Sequence, residues 1–79
     1  MKKALEFILL SIVDNQDKVK IEEHEENGII NFKVLVAKED MGKVIGKNGK
    51  IIRSIRNVLK IPAIKQNKRI NIELVESST

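Results

Sequence analysis

The first segment of the chain, residues 3–13, has its apolar residues at helical spacing. These residues recur three or four positions apart, which predicts a helix with one apolar side. They are Leu5, Ile8, Leu9, Ile12 and Val13. Glu6 interrupts the apolar run and no small-residue cleavage site follows, so we expect a folded helix rather than a signal peptide. Phe7 and Leu10 fall near the opposite side of this helix and suggest a second buried surface there.

The next two segments alternate between apolar and polar residues, as strands with one exposed face do. The first runs from Lys18 to Glu26, and the second covers residues 29–37. Asn27 and Gly28 between them are typical of a two-residue hairpin turn, because both accept positive φ angles. The second strand places four large apolar residues on one face: Ile30, Phe32, Val34 and Val36.

Two further helices are expected after the hairpin. A short one begins at Lys38 or Glu39 and ends at Ile45, and a longer one covers roughly residues 50–60. Five residues of the longer helix share one arc, which we assign to the core: Ile51, Ile52, Ile55, Val58 and Leu59. Pro62 has no amide hydrogen and disfavours helical geometry in the residue before it, so we expect a break or a new short turn there.

The chain closes with RINIELV, which predicts a third strand with Ile70, Ile72 and Leu74 on one face. The element order is then helix, strand, strand, helix, helix, strand. This order predicts an α+β fold in which a three-stranded sheet packs against helices. We expect one domain over residues 1–76, followed by a short polar tail, residues 77–79.

Length and composition narrow the classes of function. With 79 residues, the chain is too short to enclose a deep substrate cavity. It has no cysteine, which leaves no disulfide or thiolate metal site and favours a reducing cytoplasm. His24 is the only imidazole, and its place among glutamates is typical of an exposed acidic strand rather than a metal site. No paired acid and base stand beside a nucleophile, so we expect neither an enzyme nor a bound cofactor.

The positive charge is concentrated in one part of the chain. The formal net charge is +4, but residues 38–69 hold ten basic and two acidic residues, a local charge of +8. The segments before and after it each carry a charge of −2. A one-sided basic field indicates a polyanionic partner, either a nucleic acid or an anionic membrane surface. The membrane ranks lower, because the polar face of the first helix is not rich in lysine.

Two glycines separated by Lys47 and Asn48 lie at the centre of this basic segment. Their spacing fits neither the phosphate loop of nucleotide hydrolases nor the dinucleotide-binding pattern, because Val44 stands where either would need a further glycine. Gly46 and Gly49 instead predict a minimal turn between two helices, at a helix start that favours negative charge. The helix that follows carries three long cations along one stripe: Arg53, Arg56 and Lys60.

The stretch VIGKNGKIIRSIR resembles the Ile-Gly-x-x-Gly signature of KH domains, and the element order resembles the type II, bacterial form of that fold. The match covers essentially the whole chain. The size and the ending AIKQNKRINIELVE are similar to those of the small stand-alone KhpA-like (YlqC-like) RNA-binding proteins of bacteria. The resemblance implies a single KH domain over residues 1–76 whose loop clamps the backbone of about four nucleotides of single-stranded RNA.

The resemblance also implies roles for individual residues. The two glycines and the residues between them form the clamp, an isoleucine lines the groove for bases, and cations flank it. With Arg56 from the helix stripe, the predicted RNA-binding residues are Lys43, Ile45, Gly46, Lys47, Asn48, Gly49, Lys50, Arg53 and Arg56.

The resemblance further implies a cytoplasmic RNA chaperone or post-transcriptional regulator that forms a homodimer or pairs with a larger KH-containing (KhpB/Jag-like) protein. One alternative stays open from the residues alone. It is a protein-interaction or assembly subunit, for example in ribosome assembly, whose glycine turn is structural.

Overall fold

The computed structural model describes residues 1–77, which form three helices and three strands. The helices are α1 (Lys2–Ile12), α2 (Met41–Ile45) and α3 (Lys50–Lys65), and the strands are β1 (Lys20–Glu26), β2 (Ile29–Val36) and β3 (Arg69–Glu76). Single 3-10 turns precede β1, α2 and α3, at Gln16–Lys18, Lys38–Asp40 and Lys47–Gly49. The first of these turns makes β1 begin two residues later than predicted. The α+β fold and its element order are confirmed.

The three strands form one sheet in the order β1-β2-β3. β1 and β2 are antiparallel, and the turn between them has φ angles of 54° at Asn27 and 77° at Gly28, which confirms the predicted hairpin. β2 and β3 are parallel, with Phe32 paired to Ile72. Because parallel strands need a crossover connection, α2 and α3 must carry the chain from one end of the sheet to the other.

The core lies between the inner face of the sheet and the helices. All four apolar residues predicted for the inner face of β2 are buried, and Ile72 of β3 is buried beside them. The helices contribute six more buried side chains: Leu5 and Leu9 from α1, Val44 from α2, and Ile55, Leu59 and Ala63 from α3. On the outer face of the sheet, polar residues such as Glu22, Lys33 and Glu73 lie opposite one another on adjacent strands.

The predicted polar tail, residues 77–79, lies partly within the described residues. The amide of Ser77 donates a hydrogen bond to the carbonyl of Val36 (2.7 Å), whereas residues 78 and 79 lie outside the described residues.

Between residues 1 and 77, no helix has the length and apolar character needed to cross a lipid bilayer.

The break expected at Pro62 is wrong, because α3 continues through this residue to Lys65. A proline inside a helix removes the amide that would bond to the carbonyl four residues earlier, here that of Val58. Val58 is 51% exposed, so the missing hydrogen bond lies on a side of the helix that faces solvent. Ala63, which follows Pro62, is fully buried, and its carbonyl accepts a hydrogen bond from the amide of Lys68 at 2.8 Å. Burial and this closing hydrogen bond keep the last turn helical.

The predicted apolar arc of α3 is wider than the part of the helix that is buried. Ile51 and Val58, both assigned to the core, are 38% and 51% exposed. The buried residues of α3 follow one line spaced four residues apart: Ile55, Leu59 and Ala63. On α1, Phe7 is 74% exposed as predicted, but Leu10 is half-buried. A helix that packs on a sheet along one line leaves the edges of its apolar arc in solvent.

A buried carboxylate, that of Asp40, ties the end of α1 to the start of α2. Its side chain is 1% exposed and accepts the backbone amides of Asp14 (3.1 Å) and Asn15 (2.9 Å), as well as the side-chain amide of Asn15 (3.1 Å). The hydrogen bond from the Asn15 amide, assisted by the other donors, holds the pKa of Asp40 below its usual value against the opposing effect of burial. Because α2 ends directly before Gly46, this contact helps to fix where the loop begins.

Asp40→Asn is expected to lower the midpoint of thermal unfolding by roughly 10 °C at neutral pH, because it removes the charge that three donors share. A carboxyl whose pKa is lower in the folded chain stabilises the fold above its unfolded pKa, which is about 4. That contribution is lost as the pH falls from there towards the folded pKa. The difference in thermal midpoint between wild type and Asp40→Asn should therefore be largest at neutral pH and decrease in acid.

The matched control is Glu6→Gln, which removes an exposed carboxylate from α1 and should leave the midpoint within about 2 °C. A thermal midpoint measured across the acid range checks the prediction. A gap between Asp40→Asn and wild type that stays constant into acid would contradict a charged role for Asp40.

Candidate nucleic-acid interface

The segment from Gly46 to Gly49 is a tight loop in which three of the four residues have positive φ angles. Gly46 has φ 76° and ψ 171°, a conformation open essentially only to glycine. Asn48 (φ 56°) and Gly49 (φ 73°) are left-handed, a region that asparagine tolerates better than most residues. The amide of Gly49 donates to the carbonyl of Gly46 at 3.1 Å and closes the turn. The loop thus joins α2 to α3 with a sharp change in chain direction.

A close side-chain contact adds a second requirement for glycine at position 46. A Cβ atom on Gly46 would lie 2.6 Å from Cγ1 of Ile51 and 2.9 Å from its Cβ, which is closer than atoms can approach. A Cβ on Gly49 would meet only Nη2 of Arg53, at an ordinary distance of 3.9 Å. Ile51, which was predicted to lie in the core, therefore packs against the first glycine of the loop.

The other predicted residues around the loop are accessible. Lys47 and Asn48 are exposed at the tip, and Lys50 is exposed where α3 begins. Ile45, the last residue of α2, is 37% exposed. The loop therefore presents two cations and one apolar side chain, next to the positive end of the α3 helix dipole.

Arg53 and Arg56 both project from α3, but they have different surroundings. Nη2 of Arg53 donates a hydrogen bond to the backbone carbonyl of Asn48 at 3.1 Å, so this side chain contacts the loop itself. Arg56 lies one turn further along and lines a cavity of about 440 Å³ between α3 and the start of β3. The two arginines therefore belong to different parts of one basic surface.

This cavity extends the basic surface beyond the predicted site. Besides Arg56, its lining includes Lys60, Ile64, Lys68, Arg69 and Ile70. Lys68 is paired with Glu25 at 2.9 Å, whereas Lys60 and Arg69 are exposed. All the cations lie in the basic segment found in the sequence. That they meet across α3 and β3 was not predicted, because α3 was expected to end before Ile64.

Lys43 is held by carboxylates on the α1 side of α2. Its ammonium group pairs with Asp14 and lies 3.9 Å from Oδ1 of Asp40. The hydrogen bond to Asp14 raises the pKa of Lys43, and this effect outweighs desolvation. Of the nine predicted site residues, Lys43 is the one whose charge is already paired with carboxylates within residues 1–77.

The fold and the loop together define a class of protein. A helix, two strands, two helices and a strand around an open three-stranded sheet, with a Gly-x-x-Gly turn between the paired helices, form the arrangement of a KH domain. Residues 2–74 match the family model described as KhpA/KhpB, KH domain. The chain therefore belongs to the KhpA/KhpB family of KH-domain proteins, which confirms the resemblance found in the sequence.

Curated relatives match this chain over almost its whole length. The RNA-binding protein KhpA of Clostridium acetobutylicum is 47% identical over 95% of this chain and 100% of its own length. The protein of the same name from Clostridium perfringens is 46% identical, again over 95% of this chain and 100% of its own. The one from Chlamydia pneumoniae is 38% identical over 96% and 97%. The chain is thus similar to these proteins in extent as well as in sequence.

The two loop glycines should differ in how far they tolerate a side chain. Gly49→Ala is expected to lower the free energy of unfolding by about 1 kcal/mol, the cost of a left-handed alanine. Gly46→Ala should lower it by about 3 kcal/mol, because it adds a clash with Ile51 to a glycine-only conformation. Urea titration measures both values.

Gly42→Ala is the control for these variants. This glycine lies inside α2, and a Cβ placed on it would meet no atom within 4 Å. Alanine there should leave the free energy of unfolding unchanged or raise it by less than about 1 kcal/mol. If Gly46→Ala changes the free energy of unfolding as little as Gly42→Ala does, the glycine-only conformation at Gly46 and its close contact with Ile51 are incorrect.

Proposed function

We propose that this protein binds single-stranded RNA without catalysing a reaction, and that the loop from Gly46 to Gly49 holds the RNA backbone. The relatives named RNA-binding protein KhpA support this function. One structural observation carries the proposal. The loop exposes Lys47 and Asn48 at the start of a 16-residue helix, and the exposed side of that helix carries further cations.

The RNA backbone is held by the loop and by the start of α3. Lys47 and Lys50 supply positive charge on both sides of Asn48, and the first amides of α3 favour an anion beside them. Gly49 has no side chain that would keep a phosphate away from the backbone. Arg56 and Lys60 continue the positive surface along α3.

The bases lie against aliphatic side chains on this surface. Ile45 is available before the loop, and Ile64 and Ile70 line the cavity between α3 and β3. The two aromatic residues of the chain lie elsewhere, since Phe32 is 1% exposed in the core and Phe7 is on α1. Stacking on aromatic rings contributes roughly 1–3 kcal/mol per base in proteins that bind single strands. Without it, one copy binds weakly and with modest sequence preference.

Weak and sequence-tolerant binding suits a cytoplasmic RNA chaperone or post-transcriptional regulator, which must release its transcripts again. The effect of the loop charge on RNA binding distinguishes this role from that of an assembly subunit whose glycine turn is purely structural. In an RNA-binding protein, reversing that charge weakens binding, whereas in an assembly subunit it leaves RNA contacts unchanged.

Lys47→Asp combined with Asn48→Asp should weaken binding of a short single-stranded RNA by about tenfold or more, because two carboxylates then face the phosphates. Fluorescence anisotropy of a labelled RNA of mixed sequence gives the dissociation constant. Both residues are exposed, so circular dichroism should show an unchanged fold.

A control variant changes the net charge by the same amount on the other side of the molecule. Lys20→Glu combined with Lys33→Gln alters the outer face of the sheet and should leave RNA binding within about twofold. Unchanged binding by the folded loop variant would refute the proposed clamp and favour the assembly subunit.

We also propose that the protein works as a pair, formed with a second copy or with a larger KhpB/Jag-like protein that contains a KH domain. Two linked weak sites raise the effective concentration for one RNA. Val58 and Ile61 of α3 are 51% and 60% exposed and are neighbours on one side of the helix, which makes a contiguous apolar surface. Phe7 on α1 is 74% exposed, but Leu10 beside it is half-buried. We therefore place the contact on α3.

Light scattering at micromolar concentration should give about twice the 9.0 kDa mass of the chain. Replacing Val58 and Ile61 together by serine should restore the monomer mass, whereas Phe7→Ser should not. A monomeric wild type that also forms no complex with an added KhpB/Jag-like protein would refute pairing. Dissociation caused by Phe7→Ser alone would move the contact to α1.

A further inference from the structure

We propose that Arg53 acts on RNA through the loop, as a positioning residue that holds the Asn48 carbonyl and thereby keeps the Gly46 to Gly49 segment in its binding conformation. This inference rests on the proposed RNA-binding function. It gives Arg53 a different role from Arg56, although the sequence places both on the same stripe of α3.

The geometry of the loop shows why it needs such support. Asn48 and Gly49 are successive left-handed residues, with φ angles of 56° and 73°, and Asn48 is not a glycine. A left-handed residue with a side chain is less stable than the ordinary helical form, so an unsupported loop exchanges between conformations. The exposed tip buries little apolar surface that would hold it in place.

Arg53 supplies a contact at the strained peptide. Its Nη2 donates to the carbonyl of Asn48 at 3.1 Å, and the same nitrogen would lie 3.9 Å from a Cβ placed on Gly49. The guanidinium group therefore covers the peptide that joins the two left-handed residues. A hydrogen bond from a charged donor is stronger than one from a neutral donor, which suits it to this task.

The neighbouring cations lack this contact. Within residues 1–77, the side chains of Arg56 and Lys60 form no hydrogen bond or ion pair, so their charge is available to an incoming phosphate. Ile51 packs against Gly46 from the same first turns of α3. Ile51 and Arg53 thus hold the two halves of the loop, and Arg56 and Lys60 are left for the polyanion.

Two measurements on Arg53→Gln, with Arg56→Gln as the matched control, distinguish positioning from direct phosphate contact. The first is amide hydrogen exchange of residues 47–50 in the free protein. Arg53→Gln should speed this exchange by about tenfold or more, because it releases the loop, and Arg56→Gln should leave it unchanged. Arg53→Met, which keeps the apolar stem, should behave as Arg53→Gln does and guards against a local packing defect.

The second measurement is the salt dependence of binding to a short single-stranded RNA. A lost phosphate contact lowers the slope of log K against log salt by about 0.7 for a single strand, which is the result expected for Arg56→Gln. Arg53→Gln should weaken binding about fivefold, with little dependence on salt, so that the slope falls by less than half of that amount.

Either of two results would overturn the positioning role. One is loop exchange that is unchanged by loss of Arg53, and the other is a slope reduced as far as in Arg56→Gln. The exchange measurement contains no RNA, so it decides the role of Arg53 in the loop even if the wild type fails to bind RNA. That failure would refute the proposed function instead.

Discussion

The parallel pairing of β2 with β3 is the constraint on which the candidate site depends. After β2 the chain must return to the opposite end of the sheet before it can pair again in the same direction. In this small protein the return consists of α2 and α3, joined by a four-residue loop. A connection this short needs positive φ angles, and glycine at positions 46 and 49 supplies two of them. The loop that we propose to hold RNA is therefore also part of the connection that makes the fold possible.

The long helix α3 serves several functions on separate sides. One line of residues, spaced four apart and including Ile55 and Leu59, anchors it to the sheet. The stripe that carries Arg56 and Lys60 lies beside β3 and forms the basic cavity. A third side leaves Val58 and Ile61 in solvent. Because a helix rotates by about 100° per residue, these surfaces do not compete for the same positions.

The parts of the fold that were predicted from sequence depend on local chemistry. The alternation around Phe32 specifies a strand whatever its neighbours are, and Asn27 with Gly28 specifies a hairpin turn through its backbone preferences. The loop glycines were found in the same way, because their spacing and their basic setting are local. The continuation of α3 past Pro62 was not predictable, since it depends on the burial of Ala63 by distant residues.

The contacts around the candidate site that were not predicted join segments that are distant in the chain. Asp40 binds amides 25 and 26 residues earlier in the chain, and an isolated aspartate in the sequence gives no sign of such partners. Arg69 joins the basic surface only because β3 lies beside α3. Lys43 has the right charge and the right position in sequence, but its ammonium group is directed to Asp14. Local patterns identify the residue types at this candidate site, and tertiary packing determines which of their side chains are free to contact a ligand.

The central claim is that one continuous surface, from the loop through α3 to β3, contacts single-stranded RNA. Titration of ¹⁵N-labelled protein with a short single-stranded RNA, followed by amide chemical shifts, tests it most directly. We expect the largest shifts at residues 46–50, with smaller ones around Arg56 and Arg69 and none on the outer face of the sheet around Lys33. Shifts centred on that outer face, or no shifts at all, would contradict it.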